Sequence, residues 1–397
     1  MDGPSDDLYG RLRHECARRA DDLWHVSRTL HADPELAYEE HRAAGLLTGQ
    51  LRRAGFQVEQ GTAGLDTAFL ARAGNGPGRC VALLLEYDAL PGMGHACGHN
   101  LIAAAGLGAA LALHSVMEQV AGTVLVVGTP AEEQGGGKVA LAEAGTFDGV
   151  DAALMFHPGV HDWSWAPLTA QTQIRVGFHG RAAHPTGDPT RGIDALAALI
   201  QLFNTTAVVG KRLPPGSHVQ GIITDGGSAT NVVPAYAEGL FGLRAATSTA
   251  LDTLVADLGT WSEGVAAATG TTVSVKRQGS GYAHFRDNDV LSDRFSEHIA
   301  RSGIQLTQPA GGVYLGSSDI GDVSGRVPAI HPFVAILGDE ESDHTPAFAK
   351  AADSDRGRHV MLAAAEALAC TAADVLTDAT LSAQAWARLR EKAAQGL

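Results

Sequence analysis

The sequence predicts an α/β protein in which a discontinuous, mainly parallel-sheet domain carries an inserted ferredoxin-like α+β domain. Three observations predict it. Apolar strand-like runs alternate with helix-like segments through the first 169 residues, the pattern of a parallel sheet covered by helices. Over about residues 170–279 the order becomes strand-helix-strand-strand-helix-strand, the split unit of a ferredoxin-like sandwich. From residue 280 the α/β character returns. One domain therefore takes residues 1–169 and 280–397 and the insert takes 170–279. A chain of 397 residues also exceeds one ordinary core, so two domains are expected.

The elements follow in order. Leu8, Leu12, Cys16, Leu23, Val26 and Leu30 recur at helical spacing and predict one helix over 5–31, ended by Asp33-Pro34 because proline disfavours helix in the residue before it. A second helix over 40–54 stops at Gly55. Strands DTAFLARA and CVALLLEY, a helix over 101–118, strand TVLVVGT, a helix over 137–145 and strand DAALMFH complete the first segment. The insert reads as strand TQIRVGFHG, a helix over 192–209, strands HVQGIIT and AYAEGLFGLRAA, a helix over 249–268 and strand TTVSVKRQ. The last segment has a helix near 288–302, an irregular GGVYLGSSDIGDVSG, strand IHPFVAIL and a long helix over 354–376.

With 45% hydrophobic and 18% charged residues the composition is that of a soluble globular protein. A formal charge of −15 with no Lys/Arg-rich patch argues against nucleic acid or an anionic membrane as partner. The cysteines Cys16, Cys80, Cys97 and Cys370 show no disulfide framework, and the N-terminus shows no charged-then-apolar signal segment. No apolar run reaches the roughly 20 residues that span a bilayer. A reducing cytoplasmic location is expected, which leaves Cys97 free to act as a thiolate.

Chemistry concentrates in ALLLEYDALPGMGHACGHN, residues 82–100, where an apolar strand ends in a carboxylate and is followed by Cys97-Gly98-His99. A thiolate and an imidazole two residues apart, with glycine between them, can face one point, most simply a metal ion. Asp88 follows the same strand, other strand ends deliver Glu132, Glu133 and His157, and GDEESDHTPAF delivers His344; open α/β sheets carry their sites outside the carboxyl ends of the strands. Thiolate, imidazole and carboxylate together suit zinc, and manganese or cobalt less selectively. Of adjacent Glu132 and Glu133, one can ligate while the other takes a proton from the water a metal activates. His95 shares the turn but is not placed among the ligands. Gly135-Gly136-Gly137-Lys138 is not a phosphate loop, because Val139 stands where Ser or Thr is required. Helix capping and packing account for His31, Glu39 and Glu40.

With these segments in hand, the chain resembles the M20 metallopeptidase and amidohydrolase family, in the aminoacylase branch with the Cys-Gly-His signature. EYDALPGMGHACGHN, GSSDIGDVS and SDHTPAF are most similar to a subgroup of aminobenzoyl-glutamate hydrolases and β-alanyl-lysine type dipeptidases. The likeness runs from HADPELAYEE to the final long helix. It implies two divalent metal ions per chain, with Cys97, His99, Glu133, His157 and His344 as ligands. Glu132 would be the general base and Asp88 the carboxylate that orients a ligand. The insert would be a lid that mediates homodimerisation, with His184 of HGRAAHP reaching the partner subunit's site to stabilise an oxyanion. Asn231 of GGSATNVVP and Arg244 of FGLRAAT would hold the scissile carbonyl or a substrate carboxylate.

Two departures stand out. Asn100 follows Cys-Gly-His where most of the branch has aspartate, and Thr-Pro-Ala follows His344 where an acidic residue is common. The expected reaction is hydrolysis of the amide bond of a dipeptide or an N-acyl or N-aroyl amino acid. The competing readings are a hydrolase with Cys97 as nucleophile and a non-catalytic, metal-stabilised binding protein. Trp163 and Trp165 suit either an acyl pocket or hinge packing.

Overall fold

A computed structural model describes residues 6–397. The chain opens with α1 (Asp6–Arg18), α2 (Ala20–Ala32) and α3 (His41–Arg53), then β1 (Gln57–Gln60), β2 (Phe69–Asn75), β3 (Cys80–Glu86), α4 (His99–His114), β4 (Gly122–Thr129), α5 (Gly137–Glu143), β5 (Ala152–Leu154) and β6 (His157–Gly159). The stretch expected as one helix is thus two, broken at Arg19. The break re-aims a single apolar stripe, so that α1 packs on α4 and α11 (Asp355–Thr377) while α2 packs on α4.

The insert holds β7 (Ala170–His179), α6 (Ala195–Val209), β8 (His218–Asp225), β9 (Tyr236–Ala245), α7 (Ser248–Thr269) and β10 (Thr272–Tyr282). Its four strands form an antiparallel sheet in the order β10-β7-β9-β8, the ferredoxin-like arrangement, with α6 and α7 on one face. Asp194 caps α6 by accepting from the Ala197 N–H, and Thr247 caps α7 through Ala250. The chain returns through α8 (Asp289–Ile299), α9 (Ile320–Ser324), β11 (Ala329–Ile330), β12 (Phe333–Ala335), α10 (Pro346–Ala351), α11 and α12 (Ala379–Ala394). The sequence expectation stops at the long helix and has no counterpart for α12, which buries Leu381, Ala385 and Leu389.

The main sheet has the order β1-β2-β4-β3-β5-β11. β4, β3, β5 and β11 run parallel, and β2 is antiparallel to both β1 and β4. DAALMFH and IHPFVAIL, each expected as one strand, are each split. β5 pairs with β11 in the main sheet, while β6 pairs with β12 in a separate two-stranded ladder. Pro332, between β11 and β12, accounts for the second split, since proline offers no N–H to a ladder and redirects the chain; the first split falls at Met155-Phe156, with Pro158 inside β6. The bend turns His157 out of the sheet toward the turn that carries Cys97. Against expectation, α11 is by length and composition apolar enough to cross a bilayer, yet 83% of its apolar window is buried in the core, against α4 and α8.

Candidate metal centre

β3 ends at Glu86, and the chain passes Asp88 before α4 opens at His99, two residues earlier than expected. Gly98, before the helix, has φ +78°, and a Cβ there would press on Pro158. Only glycine adopts that conformation without strain, so it is Gly98 that lets Cys97 and His99 converge. Gly98→Ala is expected to lower the metal bound per purified chain; a full complement in the folded variant would show that the turn is not required.

His99 is fully buried, its Nδ1 lying 2.9 Å from the Asp88 carbonyl and 3.0 Å from Asp88 Oδ1. This leaves Nε2 without a hydrogen-bond partner, 3.5 Å from Glu86 Oε2 and 3.9 Å from Glu133 Oε1. The other Asp88 oxygen accepts from the Glu133 N–H at 3.0 Å. One carboxylate thus orients both an imidazole and the backbone of the acidic pair.

His157 lies with Nε2 3.5 Å from Cys97 Sγ, while its Nδ1–H donates to the Pro158 carbonyl at 2.6 Å. Phe333 stacks on the ring at 4.7 Å. Burial pulls the His157 pKa down to about 4, which keeps the ring neutral and Nε2 available as a ligand. His344 is 46% exposed and its Nε2 sits 3.5 Å from Glu133 Oε1. Its backbone has φ +56° and is held by an N–H bond to the Ala96 carbonyl. Thr345 caps α10 and Pro346 takes its first turn, so the Thr-Pro after His344 starts a helix.

Ligand-type atoms of Cys97, His99 and His157 lie within 4.8 Å of one another, as do those of His99, Glu132 and Glu133 and those of Cys97, Asp343 and His344. His99 Nε2 and Glu133 Oε1 are buried without a hydrogen-bond partner. Buried polar atoms left unsatisfied around one point are what a metal site requires, and the residues fit the ions the resemblance implies. Burial, with Glu86, Asp319 and Glu133 close by, pushes the Glu132 carboxyl well above the usual range. Cys97 is only 7% exposed, and burial pushes its thiol up, a poor setting for a free nucleophile.

The remaining predicted residues stand apart. His184 is exposed in the loop after β7, its Nδ1 accepting from the Thr186 and Gly187 N–H groups, so the ring proton sits on Nε2. Asn231 is exposed in the β8–β9 connection. Arg244 is half-buried near the end of β9 and donates to Ser317 Oγ at 2.7 Å, an oxygen that also meets Thr169 Oγ1 at 2.8 Å. Asn100 points away from the centre, donating to Ser27 Oγ and the Ala352 carbonyl. His95 is buried beside His31 and belongs to none of the clusters.

Several groups at the centre escape the sequence reading. Glu40 does not cap α3 through its side chain. It is buried, and it accepts from the Tyr38 and Ala131 N–H groups and from Thr67 Oγ1. Ala131, just before Glu132, has φ +59°, so Glu40 steadies a strained backbone next to the acidic pair. Glu86, Lys138 and Asp319 form a buried ion cluster. His331 lies fully buried behind His157, with both ring nitrogens unpartnered.

This donor set, outside the ends of parallel strands, defines a metallohydrolase centre. The chain matches the model of peptidase family M20/M25/M40 over residues 82–367 and belongs to that family. It is 37% identical to the mouse Xaa-Arg dipeptidase, covering 92% of this chain and 89% of that protein. It is 34% identical to one of the subunits of p-aminobenzoyl-glutamate hydrolase from Escherichia coli, over 68% of this chain and 59% of that protein. Among solved structures, a dinuclear metal-binding M20 peptidase from Bacillus subtilis superposes with a TM-score of 0.73 at 23% identity, covering 91% of this chain and 99% of that one. An aminobenzoyl-glutamate utilization protein from Klebsiella pneumoniae superposes with a TM-score of 0.70 at 22% identity, covering 93% and 99%. The chain is a hydrolase with the catalytic and lid architecture of this family.

Proposed function

We propose that the chain hydrolyses the amide bond of a dipeptide or of an N-acyl or N-aroyl amino acid. The observation that carries this reading is the convergence of Cys97, His99, His157 and Glu133, with His99 Nε2 and Glu133 Oε1 buried and unpartnered, beside a carboxylate, Glu132, held above its usual pKa. The relatives' names support the substrate class, since one specifies a dipeptide and the other an N-aroyl amino acid. When bound, two divalent ions (zinc, manganese or cobalt) held by Cys97, His99, Glu133, His157 and His344 supply Lewis acidity to the scissile carbonyl and to the attacking water.

Glu132 takes the proton of that water and returns it to the leaving amine. Asp88 holds His99 in the tautomer that presents Nε2. Arg244 receives a substrate carboxylate, Asn231 holds the carbonyl, and His184 Nε2–H is the oxyanion donor. His184 acts across a homodimer formed through the lid, the insert that runs from β7 to β10. Support for the dimer comes from β8, a sheet edge exposing Ile222 and Ile223, and from Ile200 and Val208 exposed on α6, since bare strand edges and apolar faces invite pairing. A cytoplasmic site of action suits the free cysteines.

The test is metal analysis of the purified protein, with hydrolysis of a panel of dipeptides and N-acyl amino acids before and after chelation. About two ions per chain with metal-dependent cleavage are expected. Cleavage that survives complete metal removal would overturn the reading.

A further inference from the structure

Lys138 ends the three-glycine run, and its side chain is completely buried. Its Nζ lies 2.5 Å from Glu86 Oε1 and 2.6 Å from Asp319 Oδ1, and its own backbone N–H donates to Asp319 Oδ2 at 2.9 Å. Carboxylate oxygens of Glu86, Glu132 and Asp319 lie within 4.8 Å of one another. Three carboxylates so close repel each other unless a cation or a proton stands between them. An ammonium is almost never fully buried unless its charge is matched.

The geometry also ties this cation to the backbone of Glu132. Glu86 ends β3, Asp319 precedes α9, and Lys138 lies in the first turn of α5, with Glu132 on the loop between β4 and α5. A Cβ on Gly137 would run into the Pro130 carbonyl, so that first turn packs directly on the chain leading to Glu132. On the other side, Tyr282 of the lid donates its hydroxyl to the Glu132 carbonyl at 3.1 Å.

We propose that Lys138 is the positioning residue for Glu132: its ammonium is a resident cation in the three-carboxylate cluster, engaging Glu86 and Asp319 and leaving Glu132 free to face the reacting centre. The same ammonium fills the space a divalent ion would otherwise take among these carboxylates, so added metal is confined to the side of Cys97, His99 and Glu133. The proposal rests on the reading of Glu132 as the general base.

The experiment compares wild type, Glu132→Gln, Lys138→Met and Lys138→Ala for metal content and for kcat and KM on one hydrolysed dipeptide. Lys138→Met is expected to keep wild-type metal and a KM within about threefold, while kcat falls about 100-fold or more. Lys138→Ala is expected to regain kcat with added ethylammonium chloride but not with sodium chloride. Should Lys138→Met fail to fold, Lys138→Met/Asp319→Asn removes one charge of each sign and is read by the same criteria. A kcat within threefold of wild type, or a loss that only tracks lost metal with no ethylammonium rescue, overturns the proposal. Near-normal turnover by Glu132→Gln would instead remove the base reading itself, whatever Lys138 does.

Discussion

Glu132→Gln is expected to keep its full metal complement and lose about 10²–10⁴ in kcat, the usual contribution of a positioned acid–base group. The substitution preserves shape and removes only the capacity to take a proton. The two acidic neighbours are separated by their surroundings. Glu133 has its N–H held by Asp88 and its Oε1 turned toward His99 and His344, the contacts of a ligand. Glu132 is grouped with Glu86 and Asp319 as well as with His99 and Glu133, the setting of a carboxylate whose proton affinity matters. Glu133→Gln is therefore expected to lose metal first and turnover as a result. Metal analysis beside kcat separates the two, and loss of metal from the Glu132 variant with retention by the Glu133 variant would exchange their roles.

His184→Ala is expected to be nearly inactive alone, and to recover activity when its subunits exchange with those of Glu132→Gln. In a mixed dimer one site combines an intact Glu132 with the intact His184 of the other subunit. Random exchange of equal amounts then makes about half the dimers mixed, each with one complete site, for about a quarter of wild-type turnover. The physical basis is the ring's setting: Nδ1 is occupied by two backbone donors, so Nε2–H is fixed as a donor, and the side chain is exposed on the lid. Demonstrated mixed dimers with no recovered activity would sink the shared site.

What the sequence reveals and what it hides follow from the range of the interactions. Cys97, His99 and Gly98 are legible because three adjacent residues hold the whole signal. The ferredoxin-like insert is legible because its alternation is local, clearest in β9, which pairs with β7 in register along its whole length. The Lys138 to Asp319 pair joins residues 181 positions apart, and nothing near GGGK announces its partner. Glu40 reads as a helix-end residue because its actual partners, Thr67 and Ala131, lie 27 and 91 positions away. The split strands are hidden for a different reason. In IHPFVAIL an apolar run bridged by Pro332 reads as continuous in one dimension while its two halves join different sheets, and in DAALMFH nothing in the run marks the break at Met155-Phe156.

The two large hydrophobic cores share no residue. The larger is built from residues up to Leu168 and again from Phe285 onward, the smaller from residues between Ala170 and Ala266. The insert enters and leaves through β7 and β10, which lie side by side with Gln171 opposite Tyr282. Such a piece behaves as a cassette. Its sequence can drift, or be exchanged for another of the same shape, without repacking the half that holds the metal ligands. Substrate preference can thus diversify within one catalytic chassis, and the side-chain contacts that a replacement must keep include Arg244 to Ser317, Tyr282 to Glu132 and Ser248 to His284.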